Sequence, residues 1–414
     1  MPVPKIYIAL PVMNEMEGLP AFMDALAKQS VQDYHLVVCI NQPDHWWHDP
    51  AKKPICEDNQ LALKYFRSCN DSRITLIDKT TEGQGWTGKK HGIGWARKVI
   101  MDTIAAGAGP DDIILSLDAD TLFNPAYLES ILENRHRLLQ ADAISVPYYH
   151  RLTGDESIDR AMLRYEIYMR AFVINLWRIK SPYSLTALGS AIALPVRAYK
   201  SIGGMTPKLS GEDFYFLQKL VKTGTVVHWN AEKVYPAARL SNRVFFGTGP
   251  ALLKGIEGDW ESYPVYKMSW FDGIRETYLL FDELFEKDIE TPLDDFLLNA
   301  FGKFPWAELR ANFKTKKHFI RACHEKIDGL RLLQYLKNRQ RTEGADDELN
   351  LIELINSLGT DRETASDPDY NGLSFASSPL HLLDSIRNQL ETAELAYRKE
   401  HFDSVLQKQR KLRP

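Results

Sequence analysis

The segment Ile113-Ile114-Leu115-Ser116-Leu117-Asp118-Ala119-Asp120 begins as a short apolar run and ends in two carboxylates. It lies between Gly109-Pro110 and Asn124-Pro125, and both of these pairs are typical of turns. A short apolar run bounded by turn residues predicts a buried strand of a parallel sheet. Because ligands bind at the carboxyl ends of such strands, we expect Asp118 and Asp120 to face a binding site.

Asp118 and Asp120 would repel each other at a strand end unless a positive charge lay close to both. A hard divalent cation with oxygen ligands supplies that charge, and phosphate oxygens can complete its coordination. The structural alternative is that Asp120 and Asn124 only shape the turn, with Asn124 as a helix N-cap and Pro125 in the first helical turn. Because Asn124 alone fills that capping role, the two acids favour a functional interpretation.

Composition excludes several classes of protein. The chain has 414 residues, enough for about two or three domains, and its formal net charge of −4 indicates no nucleic-acid-binding surface. No apolar run reaches the ~18 residues that a membrane span needs, and the N-terminus lacks a signal-peptide pattern. The four cysteines show neither metal-ligand spacing nor a disulfide framework. We expect a cytoplasmic protein, with peripheral contact at the inner face of a membrane left open.

The first half of the chain alternates strand and helix patterns. Apolar runs predict strands at residues 5–10, 34–41, 73–78, 113–118 and 143–147, and helical periodicity predicts helices at 17–28, 58–69, 90–106 and 126–140. Later segments predict a long aromatic helix at 157–180, strands at 190–194 and 225–229, and a helix at 214–222. This alternation predicts an α/β fold, with a mostly parallel, Rossmann-like sheet flanked by helices.

The C-terminal part of the chain has a different pattern. From residue 263 to 414 it is almost entirely helical, with helices predicted at 272–286, 317–339 and 380–409 and a polar loop at 359–378. We therefore predict an α/β domain at residues 1–262 and an all-α region at 263–414. This helical region carries no recognisable motif, and its sequence does not choose between covering a cleft, forming a homo-oligomer and resting on a membrane surface.

A glycine-rich stretch, residues 83–88, matches two known motifs incompletely. It fits the dinucleotide-binding fingerprint, but it does not directly follow a strand and the next acid at a strand end is Asp118. It also approaches a P-loop, although Lys90 stands where a Ser or Thr should hold magnesium. What remains is a glycine-rich turn at a helix start, where Lys90 and Arg97 can attract an anion.

A second acidic pair, Glu212-Asp213, comes just before a predicted helix. Ser210 and Asp213 have the spacing of a capping box, so this segment by itself favours a structural role. The strand predicted at 190–194 is short and rich in small residues, which suits a backbone that passes close to a ligand.

Taken together, these segments resemble the inverting family 2 glycosyltransferases of the GT-A fold, in the nucleotide-diphospho-sugar transferase superfamily. The resemblance covers roughly residues 5–230 and rests on the order and spacing of four motifs. These are Ile6-Tyr-Ile-Ala-Leu-Pro11-Val-Met-Asn14-Glu15, Gly92-Ile-Gly94-Trp-Ala-Arg97-Lys98, Asp118-Ala-Asp120 and Gly211-Glu212-Asp213.

The resemblance implies an enzyme of the EC 2.4 class that moves a sugar from a nucleoside-diphosphate sugar to an acceptor hydroxyl with inversion. It implies that residues 1–125 bind the nucleotide sugar and residues 126–262 the acceptor, a saccharide or a lipid-linked molecule. Asp213 is implied as the catalytic base, and Asp118 and Asp120 as the DXD motif that holds Mn²⁺ or Mg²⁺. The residues implied in donor binding are Pro11, Asn14, Glu15, Lys90, Arg97, Asp118 and Glu212.

Three positions depart from the family pattern or extend it. Asn41 stands where many relatives have an Asp, and we expect its amide to contact the base or ribose. His228 lies near the family's third metal ligand but inside a predicted strand, where a core or surface His is expected rather than a ligand. Residues 239–249 resemble a mobile basic loop, so Arg239 and Arg243 are expected to contact the diphosphate.

Several alternatives remain open at this stage. A nucleotidyltransferase would share the sheet and the metal-binding acids but release pyrophosphate from a triphosphate. A P-loop-like NTPase would hydrolyse ATP, and the missing Ser or Thr argues against it. A non-catalytic relative would bind the nucleotide sugar without turnover. The aromatic side chains of the helix at 157–180 are expected to be mostly core rather than an acceptor surface.

Overall fold

The computed structural model describes residues 3–133, 141–186, 188–228, 231–240, 247–344, 346–359, 370 and 372–411. Arg243, which the sequence places at the diphosphate, lies outside the described residues, as does most of the loop predicted at 359–378.

A seven-stranded sheet forms the centre of the N-terminal half. Its strands are β1 (Ile6–Val12), β2 (Tyr34–Asn41), β3 (Ile74–Lys79), β4 (Ile113–Ser116), β6 (Ala143–Ser145), β7 (Ile192–Pro195) and β8 (Val226–His228), in the order β3-β2-β1-β4-β7-β6-β8. Among these strands only β7 runs antiparallel to its neighbours. The predicted α/β class, with a mostly parallel sheet flanked by helices and an all-α C-terminal region, is confirmed.

Two short strands form a second sheet that the sequence did not predict. They are β5 (Thr121–Phe123) and β9 (Val234–Pro236), which pair antiparallel with Thr121 opposite Pro236. β5 begins directly after Asp120, so this small sheet continues from the acidic end of β4.

The helices up to residue 256 are α1 (Leu19–Ala27), α2 (Lys53–Ser68), α3 (Ile93–Gly107), α4 (Tyr127–Glu133), α5 (Glu156–Arg178), α6 (Val196–Ser201), α7 (Glu212–Thr223) and α8 (Thr248–Ile256). Helix α3 begins three residues later than predicted because Gly92 has a φ of 93°, which ends the preceding loop in a conformation that a helix cannot use. Lys90 therefore lies in the loop rather than on the helix.

The remaining helices are α9 (Met268–Leu279), α10 (Phe281–Leu284), α11 (Asp294–Phe301), α12 (Trp306–Asn312), α13 (Lys316–Lys326), α14 (Gly329–Glu343), α15 (Asp347–Ser357) and α16 (Leu380–Lys411). The single helix predicted at 317–339 is two helices, because Asp328 caps α14 by accepting a hydrogen bond from the Arg331 backbone N–H. No helix in the described part of the chain is both long and apolar enough to cross a membrane.

The chain forms two compact units. The first contains residues 1–162, 187–257 and 398–414, and the second contains residues 163–186 and 258–397. The predicted boundary near residue 262 differs from this division in two segments, because most of α5 belongs to the second unit and the end of α16 belongs to the first.

The second unit has its own core and a buried charge network. Leu163, Ile167, Leu351 and Leu383 are among the fully buried side chains of this core. Arg170, which is 1% exposed, pairs with Glu166 and Glu394, each at 2.7 Å. Of the aromatic residues on α5, Tyr165 and Trp177 are buried while Tyr168 and Phe172 are half-buried. The aromatic face of this helix is therefore mostly core, as expected.

Candidate functional site

The sheet order brings the predicted site residues to one edge. Strands β2, β1 and β4 are adjacent and parallel, so their carboxyl ends lie side by side. Asn41 ends β2, Asn14 and Glu15 follow β1, and Asp118 and Asp120 follow β4. This is the edge of an open α/β sheet at which ligands bind.

Arg97 on α3 joins two of the acidic motifs. Its side chain is 3% exposed, its Nη2 donates to Asp118 Oδ1 at 2.6 Å, and its Nε donates to Glu212 Oε1 at 3.0 Å. Its Nη1 donates to Ser116 Oγ at 2.6 Å and to the Gly189 carbonyl at 3.1 Å. A planar guanidinium suits this task because its donors diverge in fixed directions. Arg97 therefore holds the end of β4 against the start of α7.

Two glycines make the position of Arg97 possible. A Cβ at Gly189 would lie within 3.0 Å of the Arg97 guanidinium, closer than real Cβ contacts come. A Cβ at Gly94, one turn before Arg97 on α3, would collide in the same way with the Lys208 backbone. Both glycines therefore allow a close approach that any larger residue would prevent. Gly189 lies just before the strand predicted at 190–194, and its lack of a side chain leaves room for the Arg97 guanidinium.

Asp213 lies in the first turn of α7, next to Glu212. Gly211, with a φ of 70°, occupies the N-cap in place of Ser210, so Ser210 and Asp213 do not have the positions of a capping box. Asp213 Oδ1 accepts a hydrogen bond from the Phe214 backbone N–H at 2.7 Å. The pKa of Asp213 is raised to about 7, chiefly by burial and also by the charge of Glu212, while the positive charge of Arg97 opposes the rise. A carboxylate with this pKa can accept a proton near neutral pH.

Arg239 lies between two other acids of the site. Its Nη2 donates a hydrogen bond to Glu15 Oε1. The same Nη2 lies 2.8 Å from Asp120 Oδ2 and forms an ion pair with it. The pairing of β5 with β9 accounts for this position, since the Ala237 backbone N–H donates to the Asp120 carbonyl at 3.1 Å. The structure thus brings together Glu15, Asp120 and Arg239, three residues that the sequence analysis singled out separately.

The acidic residues have the chemistry that a hard divalent cation requires. Within the described residues no three His, Cys, Asp or Glu side chains converge as a preformed cage. Mg²⁺ is usually held by one or two carboxylates and completed by substrate phosphates, so a cage is not required. The side chains of Asp118 and Asp120 are 29% and 23% exposed, although each has one oxygen bonded to an arginine. Their donor set therefore fits a cation that binds together with a diphosphate.

The amide of Asn41 is used inside the protein. Asn41 is 2% exposed, its Nδ2 donates to the Val12 carbonyl at 3.0 Å, and its Oδ1 accepts from Trp86 Nε1 at 3.1 Å. Asn14 has a left-handed backbone with a φ of 57°, and its N–H donates to Asn59 Oδ1 at 2.8 Å. Pro11 is a buried residue of β1 and stands opposite Cys39 of β2.

The glycine-rich stretch uses its amides internally. Asp44 Oδ1 accepts from the backbone N–H groups of Gly83 at 2.8 Å and Gly85 at 3.1 Å, and the Trp86 N–H donates to the Gln42 carbonyl at 2.9 Å. These donors are therefore not directed at an anion. Lys90 is exposed, and its ammonium group lies 5.8 Å from the centre of the Trp95 ring.

His228 is a core residue, one of the two positions, core or surface, that the sequence analysis left open. It is 4% exposed on β8, and its ring lies 5.2 Å from the ring of His401. Burial lowers the pKa of His228 well below its usual value, and the positive charges of Arg398 and His401 lower it further. A neutral, buried imidazole is the result.

Sequence reasoning missed several residues that shape the site. Ser116 and Gly189 hold Arg97, while Trp86, Asn59 and Gln42 surround Asn41. A lone tryptophan inside the glycine-rich stretch was the one visible signal, because an aromatic residue in a polar turn needs a packing or binding reason.

Comparison with known proteins adds a likeness in fold. No family model and no curated protein matches the sequence. The chain is similar to residues 1–349 of S. aureus TarS in complex with UDP-GlcNAc, at 13% identity and a TM-score of 0.39, over 96% of this chain and 92% of that one. It is also similar to the mannosyltransferase PcManGT from Pyrobaculum calidifontis in complex with GDP-Man and Mn²⁺, at 12% identity and a TM-score of 0.40, over 96% and 88% of the two chains.

A further similar structure is glucosyl-3-phosphoglycerate synthase from Mycobacterium tuberculosis in complex with Mn²⁺, UDP-Glc and phosphoglyceric acid. Its identity is 13% and its TM-score 0.33, over 55% of this chain and 71% of that one.

Proposed function

We propose that the chain is a glycosyltransferase that moves a sugar from a nucleoside-diphosphate sugar to an acceptor hydroxyl, with inversion at the anomeric carbon. The observation that carries the proposal is the pairing of Arg97 with both Asp118 and Glu212. One buried guanidinium connects the acid expected at the donor's phosphates to the acid beside Asp213. The donor end and the base end of a single site are therefore held at a fixed separation.

Asp213 is proposed as the base. An acceptor hydroxyl is a poor nucleophile until it loses its proton, and a positioned carboxylate removes that proton as attack proceeds. The acceptor oxygen forms a bond to the anomeric carbon, and the bond from that carbon to the diphosphate oxygen breaks, with its electron pair leaving on the diphosphate. The proton passes to Asp213, whose raised pKa makes it a better acceptor than an ordinary aspartate.

The departing diphosphate gains negative charge that must be balanced. Asp118 and Asp120 are proposed to hold Mn²⁺ or Mg²⁺, which supplies Lewis-acid stabilisation of that charge when bound. Arg239 adds a fixed positive charge beside Glu15 and Asp120, and charges positioned in advance stabilise a transition state without reorganisation. Glu212 keeps Arg97 oriented and so keeps Asp118 in place.

The test is a binding and turnover assay on purified protein. We expect UDP-, GDP- or other nucleoside-diphosphate sugars to raise the melting temperature in the presence of Mn²⁺, because ligands that bind only the folded state stabilise it. Asp120→Ala should remove the metal-dependent part of this shift. Asp213→Asn should keep donor binding but abolish slow hydrolysis of the donor to the nucleoside diphosphate and free sugar.

Asp33→Asn is the matched control, because Asp33 is exposed before β2, away from the predicted motifs. Release of pyrophosphate from a nucleoside triphosphate would point to a nucleotidyltransferase instead. Donor binding with no hydrolysis and no transfer to any acceptor would point to a binding protein.

A further inference from the structure

Trp86 is fixed at the carboxyl ends of β2 and β3. Its backbone N–H donates to the Gln42 carbonyl and its own carbonyl accepts from the Asp44 N–H, each at 2.9 Å. Its indole Nε1 donates to Asn41 Oδ1 at 3.1 Å. The ring is therefore held by the last residue of β2, and the main chain by residues just after it.

The glycine-rich stretch has the features needed to place this tryptophan. Asp44 accepts hydrogen bonds from the N–H groups of Gly83 and Gly85, which bends the loop back towards β2. A Cβ at Gly85 would lie 2.7 Å from the Asp44 Cα, so only glycine allows this approach. The glycine-rich stretch therefore fixes the position of Trp86, and its bonded N–H groups do not bind a phosphate.

A buried polar network lies next to Asn41. Asn59 Nδ2 donates to Gln42 Oε1 at 2.8 Å, and the same oxygen accepts from Thr80 Oγ1 at 2.8 Å. Asn59, Gln42 and Thr80 are fully buried. Satisfied buried networks are rigid, so Asn41 and the indole bonded to it have little freedom to move.

Trp86 lies within a nucleoside's reach of the acids of the site. Trp86 is half-buried, and the ammonium group of Lys79 lies 5.4 Å from the centre of its ring. β2 is two strands from β4 in the sheet order. Neighbouring strands are about 4.8 Å apart, so Asn41 lies about 10 Å along the sheet edge from Asp118, which is a span that a nucleoside can bridge from its diphosphate.

We propose that the donor's nucleobase stacks on the indole of Trp86, and that Asn41 is a positioning residue that holds the indole rather than a reader of the base. This inference rests on the proposed function. The Asn41 side chain is 2% exposed, its Nδ2 bonds the Val12 carbonyl and its Oδ1 bonds the indole, so it is placed to hold the ring rather than to reach a base. An aromatic face, in contrast, accepts any base through its π surface.

The test compares four nucleoside diphosphates, UDP, GDP, ADP and CDP, by calorimetric titration of the full chain. We expect Trp86→Ala to weaken the binding of every nucleotide that the wild type binds by about tenfold to hundredfold, the range for loss of one base–aromatic stack. Trp86→Phe keeps a ring but loses the hydrogen bond to Asn41, so its affinities should fall between those of the wild type and those of Trp86→Ala. Trp46→Ala is the matched control, because Trp46 is also half-buried with a lysine, Lys52, 5.4 Å from its ring centre.

Wild-type affinities in Trp86→Ala would overturn this inference alone. Failure of the wild type to bind any of the four nucleotides would overturn the proposed function and this inference with it. The two failures are therefore distinguishable.

The role of Asn41 is tested by the ranking of the four affinities. Asn41→Ala should weaken them all by a similar factor and leave their ranking unchanged, because it loosens a shared support. Loss of affinity for one base alone would show that Asn41 reads the base and would overturn its assignment as a positioning residue. If the alanine variant does not fold, Asn41→Ser allows the same comparison, since its hydroxyl can still bond the Val12 carbonyl.

Discussion

Arg97 Nη2 lies 2.6 Å from Asp118 Oδ1, and the same side chain bonds Glu212 through Nε. The guanidinium is buried, and the two acids keep its pKa above the usual value. Its charge is therefore permanent, and the acids that it contacts depend on it for neutralisation.

We expect Arg97→Lys to be nearly as damaging as Arg97→Ala. An ammonium group cannot reproduce the divergent donors that contact Asp118, Glu212 and Ser116 together. Removing one partner of a buried ion pair costs about 3–5 kcal/mol, so both variants should melt well below the wild type. Thermal melting and donor hydrolysis measure the effect, and a lysine variant with wild-type turnover would contradict this account of Arg97.

Gly189→Ala should cause part of the loss of stability and turnover expected for the Arg97 variants, although it removes no charged group. The added Cβ forces the guanidinium away, and overpacking of this kind typically costs about 1–3 kcal/mol. Gly107→Ala is the control, because a Cβ at Gly107, at the end of α3, meets nothing within 4 Å. The first variant should lose stability and turnover, and the second should keep both.

Donor hydrolysis and transfer should rise with pH up to about 7 and then level off. The pKa of Asp213 is raised to about 7, so below that pH the base is protonated and kcat/KM falls about tenfold per pH unit. The stability effect has the opposite sign. A carboxyl whose folded-state pKa lies above its ordinary value of 3.8 contributes stability at low pH, which is lost as pH rises towards 7.

Asp213→Asn separates the two pH effects. It should abolish turnover at every pH, and its melting temperature should fall less than that of the wild type between pH 4 and 7. Equal pH dependence of melting in the two proteins would contradict the raised pKa. Asp33→Asn again serves as the control for the loss of one negative charge.

Arg239→Gln should make the protein more responsive to Mn²⁺. Without the guanidinium, Glu15 and Asp120 are left as neighbouring negative charges, and we expect a loss of about 1–2 kcal/mol, at the low end because Arg239 is partly exposed. This corresponds to a melting temperature about 2–8 °C lower. Added Mn²⁺ should restore more of this loss than it adds to the wild type, and equal Mn²⁺ shifts in both proteins would contradict the arrangement.

Local patterns were sufficient to predict the sheet and most of its helices. The apolar runs of β1, β2, β3 and β4 were found within two residues of their ends, because each run is bounded by turn residues and three of them, β1, β2 and β4, are buried almost throughout. Asp118 and Asp120 after β4, and Glu212 and Asp213 in the first turn of α7, were also identified, since the strand and helix patterns alone fix their positions relative to these elements.

The contacts that complete the site depend on residues far apart in the chain. β5 and β9 have three residues each, too few for a periodic signal, so the meeting of Asp120 with Arg239 could not be read from either segment. From sequence alone, Asn41 was a plausible ligand-binding residue. In the structure its Oδ1 accepts a hydrogen bond from Trp86, which lies 45 residues later in the chain. A sequence pattern specifies which residues lie at a strand end, whereas the partners there are set by tertiary packing.

The pairing of β5 with β9 has a practical consequence for protein engineering. Because this two-stranded sheet brings Arg239 within 2.8 Å of Asp120, residues 120–123 and 234–239 form one structural unit although more than a hundred positions separate them. A chimera that grafts either segment from another protein should take both, or the donor-side charges will no longer match.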